Sequence, residues 1–179
     1  MATARALFDT HGFHQTSMAE LATSAQVSVG QIYRLFKGKE DIINALVHDD
    51  ADEWCEQMTV LRHRLDAGEL TIEQTFERLL LDTIDKKEEA LSFDIMAESF
   101  RNPAVATKIG DMCARFRAFI RHFACAANPA LSGEALDAAE EIVLACMFGL
   151  GHRSLSRPTL DAARTARWSA RMIVAALRG

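Results

Sequence analysis

Apolar residues recur along this chain at intervals of three and four rather than two, so the pattern predicts helices nearly throughout. Ala4, Leu7 and Phe8 share one face of a first helix, Met1 to His11, which Gly12 ends. Ser17-x-x-Glu20 and Ser28-x-x-Gln31 both fit the capping box, in which a hydroxyl caps a free backbone N–H and the N3 side chain reaches back. Two helix starts so close together predict two very short helices with a tight turn between them. A longer helix follows from Lys39 to Leu65, with Ile42, Ile43, Leu46, Trp54, Met58 and Leu61 as its apolar positions and Ala67-Gly68 as its stop. Thr71-x-x-Gln74 opens another, carrying Ile72, Phe76, Leu79, Leu80 and Ile84, and a further helix is expected from Glu88 to Arg101, ahead of Asn102-Pro103. The clearest stripe is Val105, Ile109, Met112, Phe116, Phe119 and Phe123, widened by Cys113 and Ile120, which predicts deep burial on one side. Beyond Asn128-Pro129, Ser132 is expected to cap a helix to about Ser156, and Pro158-Thr159 to start a last one through Leu177. Roughly nine helices and no strand predict an all-α fold.

The two short helices have helix-turn-helix spacing. Leu21, Ala25, Val27, Ile32 and Leu35 are expected to point inward, with Ile32, Leu35 and Phe36 burying one side of the second helix against Leu21, Phe8 and Phe13. Its free side is then Val29, Gly30, Gln31, Tyr33 and Arg34, a set suited to reading DNA. Ser28 and the unpaired N–H groups at the helix start favour a phosphate. Gly30 costs about 1 kcal/mol against alanine in a helix, a cost that makes sense where the backbone approaches a groove. Gln31 can pair with adenine, Arg34 with guanine or phosphate, and Val29 can touch a thymine methyl. The Tyr33 hydroxyl can reach a phosphate, and Lys37 and Lys39 lie where a second backbone crossing would fall.

Composition narrows the classes. At 179 residues and 49% hydrophobic content the chain can build a packed core, and disorder is not indicated. Its formal charge of −5 is unevenly spread: residues 1–40 hold Arg5, Arg34, Lys37 and Lys39 against Asp9, Glu20 and Glu40, so the acidic excess lies beyond them. Cys55, Cys113, Cys125 and Cys146 form no CxxC pair and no zinc-ligand spacing, and are expected to be reduced thiols of a cytoplasmic protein. No secretory signal is expected at MATARALFDTHG, and the longest apolar run, Ile142 to Gly151, is too short for a bilayer, so no membrane partner is expected. His48, Asp49, Asp50 and Asp52 form a dense polar cluster without a third convergent ligand, expected to be a solvated helix face. No phosphate-cradling glycine loop and no serine-histidine-acid order is visible. Neither a catalytic residue, a metal nor a cofactor is therefore assigned.

The run GFHQTSMAELATSAQVSVGQIYRLFKGKEDI, Gly12 to Ile42, resembles the DNA-binding region of the tetracycline-repressor (TetR) family of bacterial transcription regulators. That family shows G-F-x-x-T-T-x-x-x-I-A-x-x-A-G-V-S-x-G-x-x-Y-x-x-F-x-x-K-x-x-L. Gly12, Phe13, Thr16, Leu21, Ala22, Ala25, Val27, Ser28, Gly30, Tyr33, Phe36, Lys39 and Ile42 stand at matching positions. The resemblance implies that Thr16, Ser17, Tyr33 and Lys39 contact phosphates and that the Val29 to Arg34 face reads bases. Gln26 stands where the family has its turn glycine, so a non-glycine residue is expected at positive φ. Family members also carry a basic arm and another turn or two of helix before the position of Ala2, an arm expected to be missing here.

By the same resemblance residues 1–45 are a helix-turn-helix DNA-binding domain and residues 46–179 an effector-binding and dimerisation domain. The last two helices would form a dimeric four-helix bundle through Val143, Cys146, Met147 and Leu150 on one and Ala166, Ala170, Ile173 and Leu177 on the other. Such a homodimer would set two reading helices about 34 to 36 Å apart on double-stranded operator DNA that is nearly palindromic. Trp54, Met58, Phe93, Met96, Phe100, Met112, Phe116 and Phe119 are the candidate lining for an unidentified small-molecule effector, being large, adaptable and apolar. Asp94, Glu98, Arg115 and His122 are candidates to orient it. The function expected is a ligand-responsive regulator, a repressor released by its effector. A helical interaction or redox-sensing protein with weak or no DNA binding is the alternative.

Overall fold

The computed structural model describes residues 1–85 and 90–179. Among these residues lie nine α-helices and no strand: α1 (Ala2–His11), α2 (Met18–Ser24), α3 (Val29–Leu35), α4 (Lys39–Asp66), α5 (Ile72–Asp85), α6 (Ala90–Ser99), α7 (Pro103–Ala127), α8 (Gly133–Gly151) and α9 (Ala162–Arg178), with a 3-10 turn at Arg153–Ser156. The start expected for the sixth helix, Glu88, falls outside the described residues.

Local chemistry sets most of the boundaries. Ser17 and Ser28 each accept the N3 backbone N–H while Glu20 and Gln31 accept the cap's own N–H, so both capping boxes are complete. Thr71 and Gln74 repeat the arrangement ahead of α5. The last two helices start and stop differently from expectation. Ser132 sits at the N-cap of α8 without a side-chain bond, α8 stops at Gly151, and α9 begins only after Asp161, whose carboxylate accepts the Arg164 N–H at 2.7 Å. Pro158 fits a helix start by its φ, but Arg157 before it is left-handed and Asp161 carries the acceptor that a helix N-terminus needs.

The described chain forms two compact units. The first comprises residues 1–53 with 89–113, and its core is Phe8, Phe13, Leu21, Ile32, Ile42, Ile43 and Leu46 closed by Leu91 of α6 and Val105 of α7. The Phe8 and Phe13 rings meet edge to face at 5.4 Å, a favoured aromatic geometry. The second comprises residues 54–88 with 114–179, where Phe76, Leu79 and Leu80 of α5 pack with Phe123 of α7 and with Ala166, Ala170 and Val174 of α9. Small residues on α9 let its axis approach α5 closely.

Between α2 and α3 the chain turns through Gln26 at φ 56°, the left-handed region that favours glycine. Gln26→Gly is expected to relieve that strain and stabilise the protein by about 0.5–1 kcal/mol, raising its melting temperature by about 1–4 °C. Thermal melts followed by circular dichroism check this, and an unchanged or lower midpoint would contradict it.

Candidate nucleic-acid interface

α3 has only seven residues, and its burial is narrower than the sequence pattern suggested. Ile32 alone is fully buried and Phe36, just past the helix end, is half-buried. Leu35, expected inward, is 77% exposed, and Ala25 and Val27 of the turn are exposed as well. A helix of two turns touches its core through one or two positions, so Leu35, beside Ile32 on the helical wheel, falls off the contact line. The outward surface is therefore Val29, Gly30, Gln31, Tyr33, Arg34 and Leu35, with Tyr33 51% exposed.

Each of these groups has a defined capacity. A Cβ built on Gly30 would meet only the Ser28 hydroxyl oxygen at 4.0 Å, so nothing inside the protein requires a glycine there. The Gln31 carbonyl oxygen accepts the Ser28 N–H at 2.8 Å, leaving its NH2 as the outward donor. Pairing with both edges of an adenine would require Gln31 to release its cap. The Ser28 hydroxyl accepts the Gln31 N–H at 3.2 Å and keeps its own proton to donate to an oxygen. Ser17 caps α2 in the same way, but Glu20 shares that end, and the Ser17 N–H bonded to it holds its carboxyl below the usual range. A fixed negative charge there opposes a phosphate, whereas the α3 box uses a neutral glutamine.

Two other predicted contacts, buried Thr16 and half-buried Lys39, already have hydrogen-bond partners within the first unit. Thr16 is 1% exposed and its hydroxyl donates to the Gly12 carbonyl at 2.9 Å, so it completes the turn into α2 and cannot reach a phosphate. The Lys39 ammonium donates to the carbonyls of Phe13 at 2.6 Å and His14 at 3.0 Å. Lys37 remains on the exposed surface, its backbone N–H donated to Asp41 at 2.8 Å.

The candidate effector lining divides between the two units. Trp54, Met58, Phe116 and Phe119 belong to the second, where the Trp54 ring lies 3.8 Å from Phe116 and 5.8 Å from Phe119, centroid to centroid. Phe93, Met96, Phe100 and Met112 belong to the first. Phe100 is 91% exposed and is not a lining residue within that unit, because α6 ends at Ser99 and the chain turns before Pro103. Of the polar candidates, Asp94 accepts the Phe13 N–H, Glu98 lies 3.8 Å from His14, and His122 pairs with Asp66 at 2.8 Å. His48 pairs with Asp52 and Asp50 with Arg5, and no metal-binding group of three such side chains occurs among the described residues.

The residues expected to join two subunits are inside the second unit. Val143, Met147, Ala166, Ala170, Ile173 and Leu177 are buried in its core, with Cys146 and Leu150 packed against it. α8 and α9 are apolar on more than one side, and the sides with these residues face α5. What remains outside is a different apolar set, Ile142 and Phe148 on α8 and Trp168 and Met172 on α9, each more than half exposed.

Residues 1–46 match the family model for bacterial regulatory proteins of the tetR family. The HTH-type transcriptional regulator UidR of Escherichia coli (strain K12) is 31% identical over 107 residues, 59% of this chain and 53% of that protein. This chain therefore spans about half the length of the curated relatives it matches. Among solved structures, GusR of Salmonella enterica superposes with a TM-score of 0.70 at 20% identity, covering 97% of this chain and 92% of the other. The transcriptional regulator FadR from Bacillus subtilis, solved in complex with stearoyl-CoA, gives 0.73 at 16% identity over 97% and 95% of the two chains. Residues 1–46 are thus similar to the helix-turn-helix module of the tetR family of bacterial regulatory proteins, and the chain shares its fold over nearly its whole length with solved structures such as GusR.

Proposed function

We propose that this chain is a ligand-responsive transcription regulator that binds a nearly palindromic operator as a homodimer and is released by a small-molecule effector. The observation that carries the reading is α3 itself, a helix with one buried face whose opposite side presents donors, a cation and an unfilled glycine position together. Residues 1–45 supply the reader. Ser28, Tyr33 and Lys37 are assigned to phosphates, Val29 and Arg34 to base edges, and Gln31 to a single donated bond. Few basic groups are available, so two copies of α3 must act together, each on one half-site.

The second part of the reading concerns residues 46–179. Ile142, Phe148, Trp168 and Met172 would form the subunit interface in place of the buried set, since large exposed apolar side chains on two helices are costly unless covered. The aromatic group of Trp54, Phe116 and Phe119 supports an effector with an apolar portion, and coupling of about 1–3 kcal/mol would change operator affinity 5- to 150-fold.

Gly30→Ala separates stability from function. The added methyl would meet only the Ser28 hydroxyl oxygen, at 4.0 Å and without a clash, so the folded chain should gain up to about 1 kcal/mol, while DNA affinity falls because the methyl enters the groove contact. Arg34→Ala should cost about 1–3 kcal/mol of binding and relax preference at one base position. Melting curves and binding titrations against selected duplexes measure both, and undiminished binding by both variants would reject this face as the reader. Trp168→Glu with Phe148→Glu should convert a dimer to a monomer in analytical ultracentrifugation at unchanged helix content; a persistent dimer would place the interface elsewhere. Operator affinity that stays constant across a broad panel of amphipathic small molecules would remove the effector half of the proposal.

A further inference from the structure

The last two long helices divide their charges by sign. α8 carries Glu134, Asp137, Glu140 and Glu141 and no basic residue, while α9 carries Arg164, Arg167, Arg171 and Arg178 and no acidic one. Part of each set is used within the second compact unit. Glu140 is buried and pairs with Arg117 and Arg121 of α7, Asp137 pairs with Arg121 at 2.7 Å, and Arg167 reaches Glu77 of α5 at 3.3 Å. Glu134 and Glu141 are exposed, and their carboxylates meet no cation among the described residues. On α9, Arg164 lies 3.4 Å from Asp161 at its own helix start with both side chains more than half exposed, and the exposed Arg171 has its guanidinium 5.5 Å from the centre of the Trp168 ring.

The outward charges have the same spacing on both helices. Glu134 and Glu141 are seven positions apart, as are Arg164 and Arg171, so each pair lies on one helical face, about 10.5 Å along the axis. The exposed apolar residues border these faces. Phe148 continues the line of Glu134 and Glu141 on α8, beside Ile142, and Trp168 falls between Arg164 and Arg171 on α9, beside Met172. Each helix therefore presents an apolar surface edged by a single sign of charge. A two-fold axis makes every contact twice, residue i of one copy on residue j of the other and the reverse. An axis that laid α8 on α8 would set carboxylate against carboxylate, and α9 on α9 would set guanidinium against guanidinium. Only α8 against α9 opposes the signs, at matching spacing, in both symmetric contacts.

We propose that this face is covered by a second copy of the chain, docked with α8 of each copy against α9 of the other, and that Glu134 and Glu141 pair across the contact with Arg164 and Arg171. The proposal rests on the reading of Ile142, Phe148, Trp168 and Met172 as a subunit interface, and adds which helix meets which and what selects the partner. The apolar residues adhere without preference. The charges admit a chain with an acidic α8 and a basic α9 and repel one in which either set is reversed.

The test uses the full wild-type chain, Arg164→Glu/Arg171→Glu, Glu134→Arg/Glu141→Arg and the variant carrying all four exchanges. Sedimentation over a dilution series measures self-association, native mass spectrometry identifies the species in mixtures, and circular dichroism reports helix content. An exposed ion pair contributes up to about fivefold in affinity and its reversal makes it repulsive, so each double variant alone should dissociate at least about tenfold more readily than wild type. Mixed in equal amounts, the two double variants should form a heterodimer, because every contact then opposes signs again. For the same reason the fourfold variant should self-associate to within about fivefold of wild type. The wild-type dimer should weaken as sodium chloride is raised from about 0.1 M to about 1 M, over which the screening length falls from about 10 Å to about 3 Å.

Double variants that self-associate as tightly as wild type, folded double variants that form no heterodimer, or a wild-type dimer indifferent to sodium chloride would each overturn the charge pairing while leaving the dimer itself in place. Should a double variant lose its helical signal, the salt response of the wild-type dimer decides by the same criterion. A wild-type chain that stays monomeric throughout the dilution series would remove the interface reading and this pairing together.

Discussion

A seven-residue helix does not persist in water, because nucleation fixes several residues for each hydrogen bond gained. α3 exists only through what holds it, and that is little: one buried isoleucine, a half-buried phenylalanine and hydrogen bonds at its ends. Burying Ile32 contributes roughly 1.5–3 kcal/mol, and a capping residue about 1 kcal/mol, so neither alone orders the segment. The remainder comes from the chain on either side. Val27 N–H bonds back to α2, Phe36 N–H closes the last turn on Ile32, and Lys37 N–H is taken by Asp41 of α4. α3 is thus fixed by its neighbours, and any group that places those neighbours also sets where its exposed face lies.

The second compact unit solves a different problem, that of packing long helices with polar groups at their edges. Glu140 is buried on α8 and is answered by Arg117 at 2.8 Å and Arg121 at 3.1 Å, both from α7. Asp137 also bonds Arg121, and its hydrogen bond, followed by that of Glu140, raises the guanidinium's pKa above its ordinary value. A buried carboxylate left unpaired would cost several kcal/mol, so this network fixes the register of α7 against α8 more than it adds stability. Near the far end, the Asn128 side-chain amide donates to the Leu177 carbonyl at 2.9 Å and satisfies part of the α9 terminus. A polar cleft opens between α5 and α9 where Glu77 meets Arg167 at 3.3 Å.

What was legible in the sequence was local. Ser17, Ser28 and Thr71 announce their helices because a capping box is complete within four residues, whereas the left-handed Gln26 was expected only from the family resemblance, which has glycine at that turn position. The all-α architecture follows from apolar spacing alone. Orientation was harder. Leu35 has the right spacing for a core position, but the helix is too short to bury it, and Thr16 matches a family position yet faces inward. On α8 the neighbours Ile142 and Val143 are both β-branched and apolar, and only the fold says that the first is exposed and the second buried. The partnership of Phe13 with Asp94 is invisible in principle, because nothing in either neighbourhood signals a contact so distant in sequence.

The narrow attachment of α3 carries an evolutionary corollary. Val29, Tyr33 and Arg34 contribute almost nothing to keeping the protein folded, since none of them is buried and the turn is closed by main-chain bonds. On the proposed DNA-binding reading, such positions can drift freely, letting one scaffold acquire new target sequences by single substitutions without first being restabilised. Gln31 is the exception: it serves the architecture and the outside world at once, so change there is constrained twice over.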